Sequence, residues 1–106
     1  MTPSGAADAA IYSGAALRPV ALAAVFICYE ATGGKVPIVG MGGVETGKHA
    51  LDLIAAGASA VALGSILFRD PKAPERVRKE LDEELDARGF KRLEEARGVA
   101  HRPQSN

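Results

Sequence analysis

Two glycine clusters, each directly after a short apolar run, are the residues of this sequence best placed to do chemistry. Gly42 and Gly43 follow the run 36–40, and Gly64 and Ser65 follow a second apolar run. Because glycine lacks a β-carbon, its backbone N–H can approach an anion closely, and a following helix N-terminus adds partial positive charge. The Ser65 hydroxyl adds another donor. The pattern predicts a phosphate-binding site formed by two strand-to-helix turns.

A purely structural interpretation of these glycines stays open beside the functional one. Glycine also permits the tight turns that join strands to helices without any ligand. One such turn would favour the structural interpretation, whereas two turns spaced one βα unit apart bring the two interpretations close to balance. A dinucleotide-binding fingerprint is not formed, because Glu45 stands where the third glycine of GxGxxG would follow Gly40 and Gly42.

The remaining reactive side chains form no catalytic or metal-binding set in the sequence. Cys28 lies in the apolar part of a helical run, which is typical of a buried, inert thiol. His49 falls in a first helical turn and His101 in a polar tail, and we predict solvated side chains for both. No paired carboxylates, nucleophile–base pair or zinc-like spacing of cysteine and histidine occurs. The sequence therefore predicts neither a catalytic residue nor a metal site.

The elements that position the glycines follow from the hydrophobic periodicity. In chain order the pattern predicts a helix, a strand, a helix, a strand and a helix. The predicted bounds are Pro19 to Gly33, 36–40, Thr46 to Gly57, 60–63, and the segment from the Asp70-Pro71 turn to Gly89. Residues 90–99 offer one or two further helical turns. Two strands joined by a helix are expected to be parallel, with a right-handed crossover.

This order of elements predicts an α/β fold that is incomplete by itself. Parallel sheets need several strands and helical cover on both faces. A (β/α)8 TIM barrel takes about 250 residues and has eight strands, so a chain with two strands supplies its C-terminal portion, about the last quarter. We divide the chain into an irregular start, 1–14, the C-terminal βα units, 15–100, and a polar tail, 101–106. Two open sheet edges predict oligomers or aggregation for a truncated chain.

Composition excludes several other classes of protein. The 13 Lys and Arg balance 13 Asp and Glu, so the sequence offers no basic excess for nucleic acid. A single cysteine forms no internal disulfide. The start lacks a signal-peptide pattern, and the longest apolar run, 20–29, is about half of a membrane span. We therefore expect a soluble, cytoplasmic chain that binds neither membranes nor nucleic acid.

Three sequence blocks, taken together and in order, resemble a known enzyme family. They are SGAALRPVAL at 13–22, VPIVGMGGV at 36–44 and AGASAVALGS at 56–65. With the closing segment 93–100, they resemble the C-terminal part of a class 1 dihydroorotate dehydrogenase of the 1B type. These enzymes are FMN-dependent oxidoreductases (flavoproteins) of pyrimidine biosynthesis. One departure is AIYSGAA at 10–16, where the family usually has GGLSGPA.

The resemblance implies a set of cofactor contacts and a reaction. Family members contact FMN at matching positions, which here are Gly14, Gly42, Gly43, Gly64 and Ser65, the last four around its phosphate. The implied reaction oxidises dihydroorotate to orotate, with FMN taking a hydride while a side-chain base removes a proton. The base and the orotate-binding residues lie in parts of the family that this sequence does not match.

The resemblance leaves several alternatives open. The electron acceptor is fumarate, or NAD through an iron–sulfur flavoprotein subunit, although the Gly64-Ser65 pair favours class 1 over the membrane-associated class 2. Other barrels that bind FMN, sugar phosphates or nucleotide phosphates use the same pair of turns. The block at 13–22 has no role in such a generic phosphate barrel. A non-catalytic remnant that associates with other chains is the third alternative.

Overall fold

The structure, a computed structural model, describes residues 18–102 of the chain. Its elements are α1 (Arg18–Thr32), β1 (Val39–Met41), α2 (Gly47–Ala56), β2 (Ala60–Ala62), α3 (Ile66–Arg69), α4 (Ala73–Ala87) and α5 (Leu93–Ala96), followed by a 3-10 turn (Val99–His101). This alternation of helices and strands agrees with the predicted α/β class. In the described range, no helix has the length and apolar character needed to cross a bilayer.

Strands β1 and β2 pair in parallel, as predicted. The paired residues are Val39 with Ala60, Gly40 with Val61, and Met41 with Ala62. Strand β1 begins later than the predicted run 36–40, because Pro37 has no N–H to donate to a neighbouring strand. The first contact between the two chain segments comes at Ile38, whose carbonyl accepts a hydrogen bond from the Ser59 N–H at 2.7 Å. Because the strands are parallel, both end at the same edge of the sheet.

Helix α2 begins and ends at the predicted caps. Thr46 Oγ1 accepts a hydrogen bond from the His49 N–H at 3.2 Å, which satisfies one free donor of the first turn. At the other end Gly57 has a φ of 133°, and its N–H donates back to the last turn of the helix. Local sequence signals therefore set both ends of the helix that packs on the sheet.

The sequence did not predict the short helix α3. Its four residues are too few to display a helical period. Helix α3 starts directly after Gly64 and Ser65, whose carbonyls accept hydrogen bonds from the N–H groups of Leu67 and Phe68 at 3.1 Å. The second glycine turn therefore leads into a one-turn helix, and only then into the long helix α4.

The core lies on one face of the sheet, around helix α2. One cluster packs α1, α2 and α4 against the sheet, and a second packs α2 against α4 and α5. The buried members of the first are Ala21, Val25, Val44, Ala50, Leu53, Ala56, Ala58 and Val77, and those of the second are Leu51, Ile54, Leu85 and Ala96. Small alanines allow the helices to approach the strands closely.

The other face of the sheet is apolar and is left uncovered by residues 18–102. Gly40 faces α2, where a β-carbon would lie 3.3 Å from Leu53 Cβ. Val39 and Met41 point the opposite way and are 66% and 60% exposed. In a closed barrel this alternation directs one set of side chains toward the helices and the other toward the interior. Val39 and Met41 therefore mark the interior face.

Candidate phosphate-binding site

The two glycine turns lie side by side at the carboxyl end of the sheet. Met41 and Ala62, the last residues of β1 and β2, pair with each other. Gly42 follows Met41 directly, and Gly64 follows Ala62 after one residue. Neighbouring strands are about 4.8 Å apart, so turns that leave the same edge of adjacent strands are neighbours. The structure thus brings together four of the predicted cofactor residues, namely Gly42, Gly43, Gly64 and Ser65. The fifth, Gly14, lies outside the described residues.

Backbone conformation explains the glycines of the first turn. Gly42 has a φ of 140° and Gly43 a φ of 72°. These angles belong to a region that residues with a β-carbon rarely adopt, because the β-carbon clashes with the neighbouring backbone. The structural interpretation therefore accounts for this pair, with or without a ligand.

Gly64 in the second turn is different. Its φ is not in the left-handed region, and a β-carbon built on it would meet no described atom within 4 Å. Every other glycine in residues 18–102 has a positive φ, or a close neighbour at the position of the missing β-carbon. Alanine would therefore fit at position 64 without strain. The packing of this region gives no reason for the glycine.

Three backbone donors of the two turns have no acceptor in the described part of the chain. No hydrogen bond within residues 18–102 uses the N–H of Gly43, Gly64 or Ser65. Ser65 is the N-cap residue of α3, yet its hydroxyl makes no capping hydrogen bond. Converging N–H groups that have no protein acceptor can bind the oxygens of an anion.

Three charged side chains surround the first turn. Arg18 Nη1 donates to the Gly43 carbonyl at 3.2 Å and lies 3.7 Å from Glu45 Oε1. Arg69, the last residue of α3, donates to Glu45 Oε2 at 3.0 Å. Two guanidinium groups thus share one carboxylate. Guanidinium groups beside the turns can attract an anionic ligand.

His49 packs against the same turn and is not the solvated side chain that the sequence predicted. Its Nδ1 accepts hydrogen bonds from the Glu45 N–H at 3.2 Å and from Arg18 Nη1 at 3.3 Å. Because both partners can only donate, Nδ1 carries no proton, and the neutral ring carries its proton on Nε2. Burial, and then the charge of Arg18, lower the pKa of His49 below its usual 6.5. His49 is the third residue of α2, and its ring folds back over the start of this helix.

Two other side-chain predictions are wrong. His101 is not solvated, because the 3-10 turn places its ring 3.8 Å from the ring of Phe26, with Nε2 2.6 Å from the Ala56 carbonyl oxygen. Cys28 is exposed and not buried, because it lies on a face of α1 that residues 18–102 do not cover. In both cases the environment of the side chain depends on which helices and strands pack together. Helical periodicity in the sequence does not predict that.

Sequence reasoning missed the contacts that hold the first turn in place. Gly47, the first residue of α2, lies so close to α4 that a β-carbon would collide with the backbone of Glu80 and Leu81. The Gly47 N–H donates to Glu80 Oε1 at 2.9 Å, and Arg76 Nη2 donates to the Glu45 carbonyl at 2.8 Å. The sequence shows a glycine at a helix start and an Arg–Glu pair on a charged helix. Neither signal tells which element it contacts.

Comparison with known proteins points to one family. A profile of the dihydroorotate dehydrogenase family matches residues 5–85. The catalytic subunit of dihydroorotate dehydrogenase B (NAD(+)) from Desulforudis audaxviator is 42% identical over 90 residues, which is 85% of this chain and 29% of that protein. Mitochondrial dihydroorotate dehydrogenase (quinone) from Mus musculus is 43% identical over 91 residues, 85% of this chain and 23% of that protein. The B-type relative agrees with the class 1B resemblance.

A solved structure agrees with the fold. DHODH from Eimeria tenella, in complex with ferulenol, matches with a TM-score of 0.82 and 38% identity, over 86% of this chain and 24% of that one. The match confirms the prediction that this chain forms about a quarter of a TIM barrel. The chain spans less than a third of the length of these relatives.

Proposed function

The chain belongs to the dihydroorotate dehydrogenase family, and from this membership we propose that its two glycine turns bind the phosphate of FMN. Gly64 is the observation that carries the proposal. The fold of residues 18–102 tolerates a β-carbon at this position, and yet the residue is glycine. A phosphate that approaches the backbone closely supplies the missing physical reason.

The surroundings of Gly64 fit a phosphate group. The N–H groups of Gly43, Gly64 and Ser65 have no acceptor among residues 18–102, and the Ser65 hydroxyl caps no helix. Arg18 and Arg69 place two guanidinium groups beside the turns, where they share the Glu45 carboxylate. In the proposed complex the turns anchor the phosphate end of the cofactor. When bound, FMN supplies hydride acceptance.

The reaction proposed for the intact enzyme is the oxidation of dihydroorotate to orotate in cytoplasmic pyrimidine biosynthesis. We assign no catalytic residue to this chain. Relatives named for NAD(+) and for quinone match this region with similar identity, so we do not place the choice of electron acceptor here. An iron–sulfur flavoprotein partner belongs to the proposal only for a NAD-linked enzyme.

A flavin titration of the full 106-residue chain tests the proposal. FMN fluorescence is followed for the unmodified chain and for Gly64→Ala, with inorganic phosphate and riboflavin as competitors. We expect saturable FMN binding, displacement by phosphate, and much weaker competition by riboflavin, which lacks the phosphate. Gly64→Ala should weaken FMN binding by about tenfold while the unfolding midpoint stays unchanged, because the added methyl group occupies the phosphate position.

Gly33→Ala is the matched control. Its β-carbon also meets no described atom within 4 Å, but position 33 lies before β1 and far from the turns. Its φ of 63° costs stability, whereas the FMN affinity of the folded chain should not change. Equal FMN affinity in Gly64→Ala and the unmodified chain would contradict the proposal. Tighter binding of sugar phosphates or nucleotides than of FMN would favour another phosphate barrel.

A further inference from the structure

Glu45 contacts residues of the four helices α1, α2, α3 and α4 beside the glycine turns. Its N–H donates to His49 Nδ1 at 3.2 Å, and its carbonyl accepts from Arg76 Nη2 at 2.8 Å. Its carboxylate lies 3.7 Å from Arg18 and 3.0 Å from Arg69. The backbone contacts fix Glu45 against α2 and α4, and they do not depend on its side chain. The carboxylate is not used in these backbone contacts, and it pairs with Arg18 and Arg69 instead.

The two arginines connect this carboxylate to different turns. Arg18 donates to the Gly43 carbonyl at 3.2 Å, so it is tied directly to the first turn. Arg69 ends helix α3, which begins immediately after Gly64 and Ser65. A path of contacts therefore runs from the first turn through Arg18, Glu45 and Arg69 to the helix that follows the second turn.

We propose that Glu45 is a positioning residue that couples the two glycine turns and holds them at a fixed separation for the phosphate. This inference rests on the proposed function for the identity of the ligand, whereas the coupling itself is a property of the free chain. A phosphate that spans two turns binds best when both turns are already in place, because ordering a loop on binding reduces affinity. The Glu45 side chain is 27% exposed, so solvent screens its ion pairs less than it screens fully exposed pairs.

Removing the carboxylate has two opposite effects on phosphate binding. Arg18 and Arg69 lose their counter-charge, so their attraction for an anion increases. The second turn loses its link to the first, so the binding geometry is less ordered. Salt separates the two effects, because at about 0.5 M salt the Debye length is near 4 Å and attraction beyond contact range is screened. The loss of positioning is not screened.

The binding test compares Glu45→Ala with the unmodified full-length chain at low salt and at about 0.5 M salt. At high salt we expect Glu45→Ala to bind FMN and inorganic phosphate roughly three- to fivefold more weakly. Arg69→Ala should give a similar loss, and the double variant no more than the larger single loss, because one contact is removed. Unchanged affinity at high salt, or additive losses, would overturn the proposal.

Glu84→Ala is the matched control for this substitution. Glu84 is also a partly exposed glutamate paired with an arginine, Arg88, at 3.4 Å, but it lies near the far end of α4. Its removal should leave FMN affinity unchanged at both salt concentrations. A loss equal to that of Glu45→Ala would show a general effect of removing a surface carboxylate, and would overturn the specific role of Glu45.

Hydrogen exchange of the free chain tests the coupling without any ligand. In Glu45→Ala we expect faster exchange at the amides of Leu67, Phe68 and Asp70, which form the hydrogen bonds of α3. The amides of Phe90 and Gly98, which donate to α4 and α2 elsewhere, should be unchanged. Unchanged exchange in α3 overturns the coupling. If the unmodified chain binds neither FMN nor phosphate, the proposed function fails, and the exchange result still decides the coupling.

Discussion

The two ends of the small sheet differ in how their polar groups are satisfied. At the amino end, Arg97 donates to the carbonyls of Gly57, Gly34 and Val36 at 2.8, 3.1 and 2.9 Å. Its guanidinium also lies 5.2 Å from the centre of the Tyr29 ring. At the carboxyl end, the N–H groups of Gly43, Gly64 and Ser65, in two adjacent turns, have no acceptor within residues 18–102.

The amino end of the sheet is also more tightly packed than the carboxyl end. At the amino end the His101 ring stacks on Phe26 and lies tilted against Tyr29. A β-carbon on Gly57 would lie 2.5 Å from Tyr29 Cβ. At the carboxyl end a β-carbon on Gly64 would meet nothing within 4 Å. One end is completed by the chain itself, whereas the other leaves room and donors for something else. In barrels of this kind the amino end stabilises the fold and the carboxyl end binds ligands.

A glycine-to-alanine substitution at each end of the sheet should have the largest difference in effect on stability. Gly57→Ala adds a β-carbon against Tyr29 at a φ of 133°, so we expect a loss of about 3 kcal/mol in the free energy of unfolding. Gly64→Ala should change that free energy by less than about 0.5 kcal/mol. Urea unfolding followed by circular dichroism measures both. Equal losses at the two positions would remove the distinction between the ends.

Removing the Arg97 side chain tests the amino end alone. Arg97→Ala leaves three carbonyls without their donor, and we expect about 2 kcal/mol less stability in urea unfolding. Arg97→Lys should lose nearly as much, because one ammonium group cannot replace a planar fork with several donors. Arg78→Ala, on the exposed side of α4, is the control and should be close to neutral. A neutral Arg97→Ala would show that these hydrogen bonds add nothing to stability.

Substitution of Thr46 tests the N-cap of helix α2, near the carboxyl end of the sheet. Thr46→Ala leaves the His49 N–H without its acceptor, and the expected loss of stability is about 1 kcal/mol. Thr46→Ser keeps the hydroxyl and should retain most of the stability. Thermal unfolding of the three chains gives the comparison. A larger loss for Thr46→Ala than for Arg97→Ala would contradict the view that the amino end holds the fold together.

The smallest expected effect is a pH dependence that comes from His49. Burial and Arg18 lower the pKa of His49 in the folded chain below 6.5. Between this lower pKa and pH 6.5, the unfolded chain therefore binds more protons than the folded chain. The stability that His49 contributes is therefore complete above pH 6.5 and is lost as pH falls through the lower folded pKa. His49→Gln keeps an acceptor for the Glu45 N–H but does not titrate.

Urea unfolding at a series of pH values between 5 and 7.5 measures this contribution of His49. As the pH falls, the unmodified chain should lose stability relative to His49→Gln. A difference that stays constant across the series would show that the folded and unfolded pKa values of His49 are equal. Removing the acceptor altogether, in His49→Ala, should lower stability at every pH.

Much of the fold could be predicted from the sequence, because the signals involved are local. Pro19, Thr46 and Gly57 mark helix ends through backbone geometry and capping, which involve only neighbouring residues. Short apolar runs bounded by glycine indicated two strands, and their connection by a helix made them parallel. The predicted burial of these strands is wrong for residues 18–102, where Gly40 is the one buried strand residue because one face of the sheet is uncovered. The positions of Gly42, Gly43, Gly64 and Ser65 after those strands then follow from the topology.

The rest depended on contacts between residues far apart in the chain. No local pattern indicates that Arg97 reaches back to Gly34, that His101 stacks on Phe26, or that Gly47 touches α4. The same holds for Glu45, whose partners Arg18 and Arg69 lie 27 residues before it and 24 residues after it. Sequence periodicity determines which face of an element is apolar, whereas the partner of that face is set by how the elements pack. The amino acids alone therefore determined where the glycine turns begin, and the tertiary structure decided which side chains hold them together.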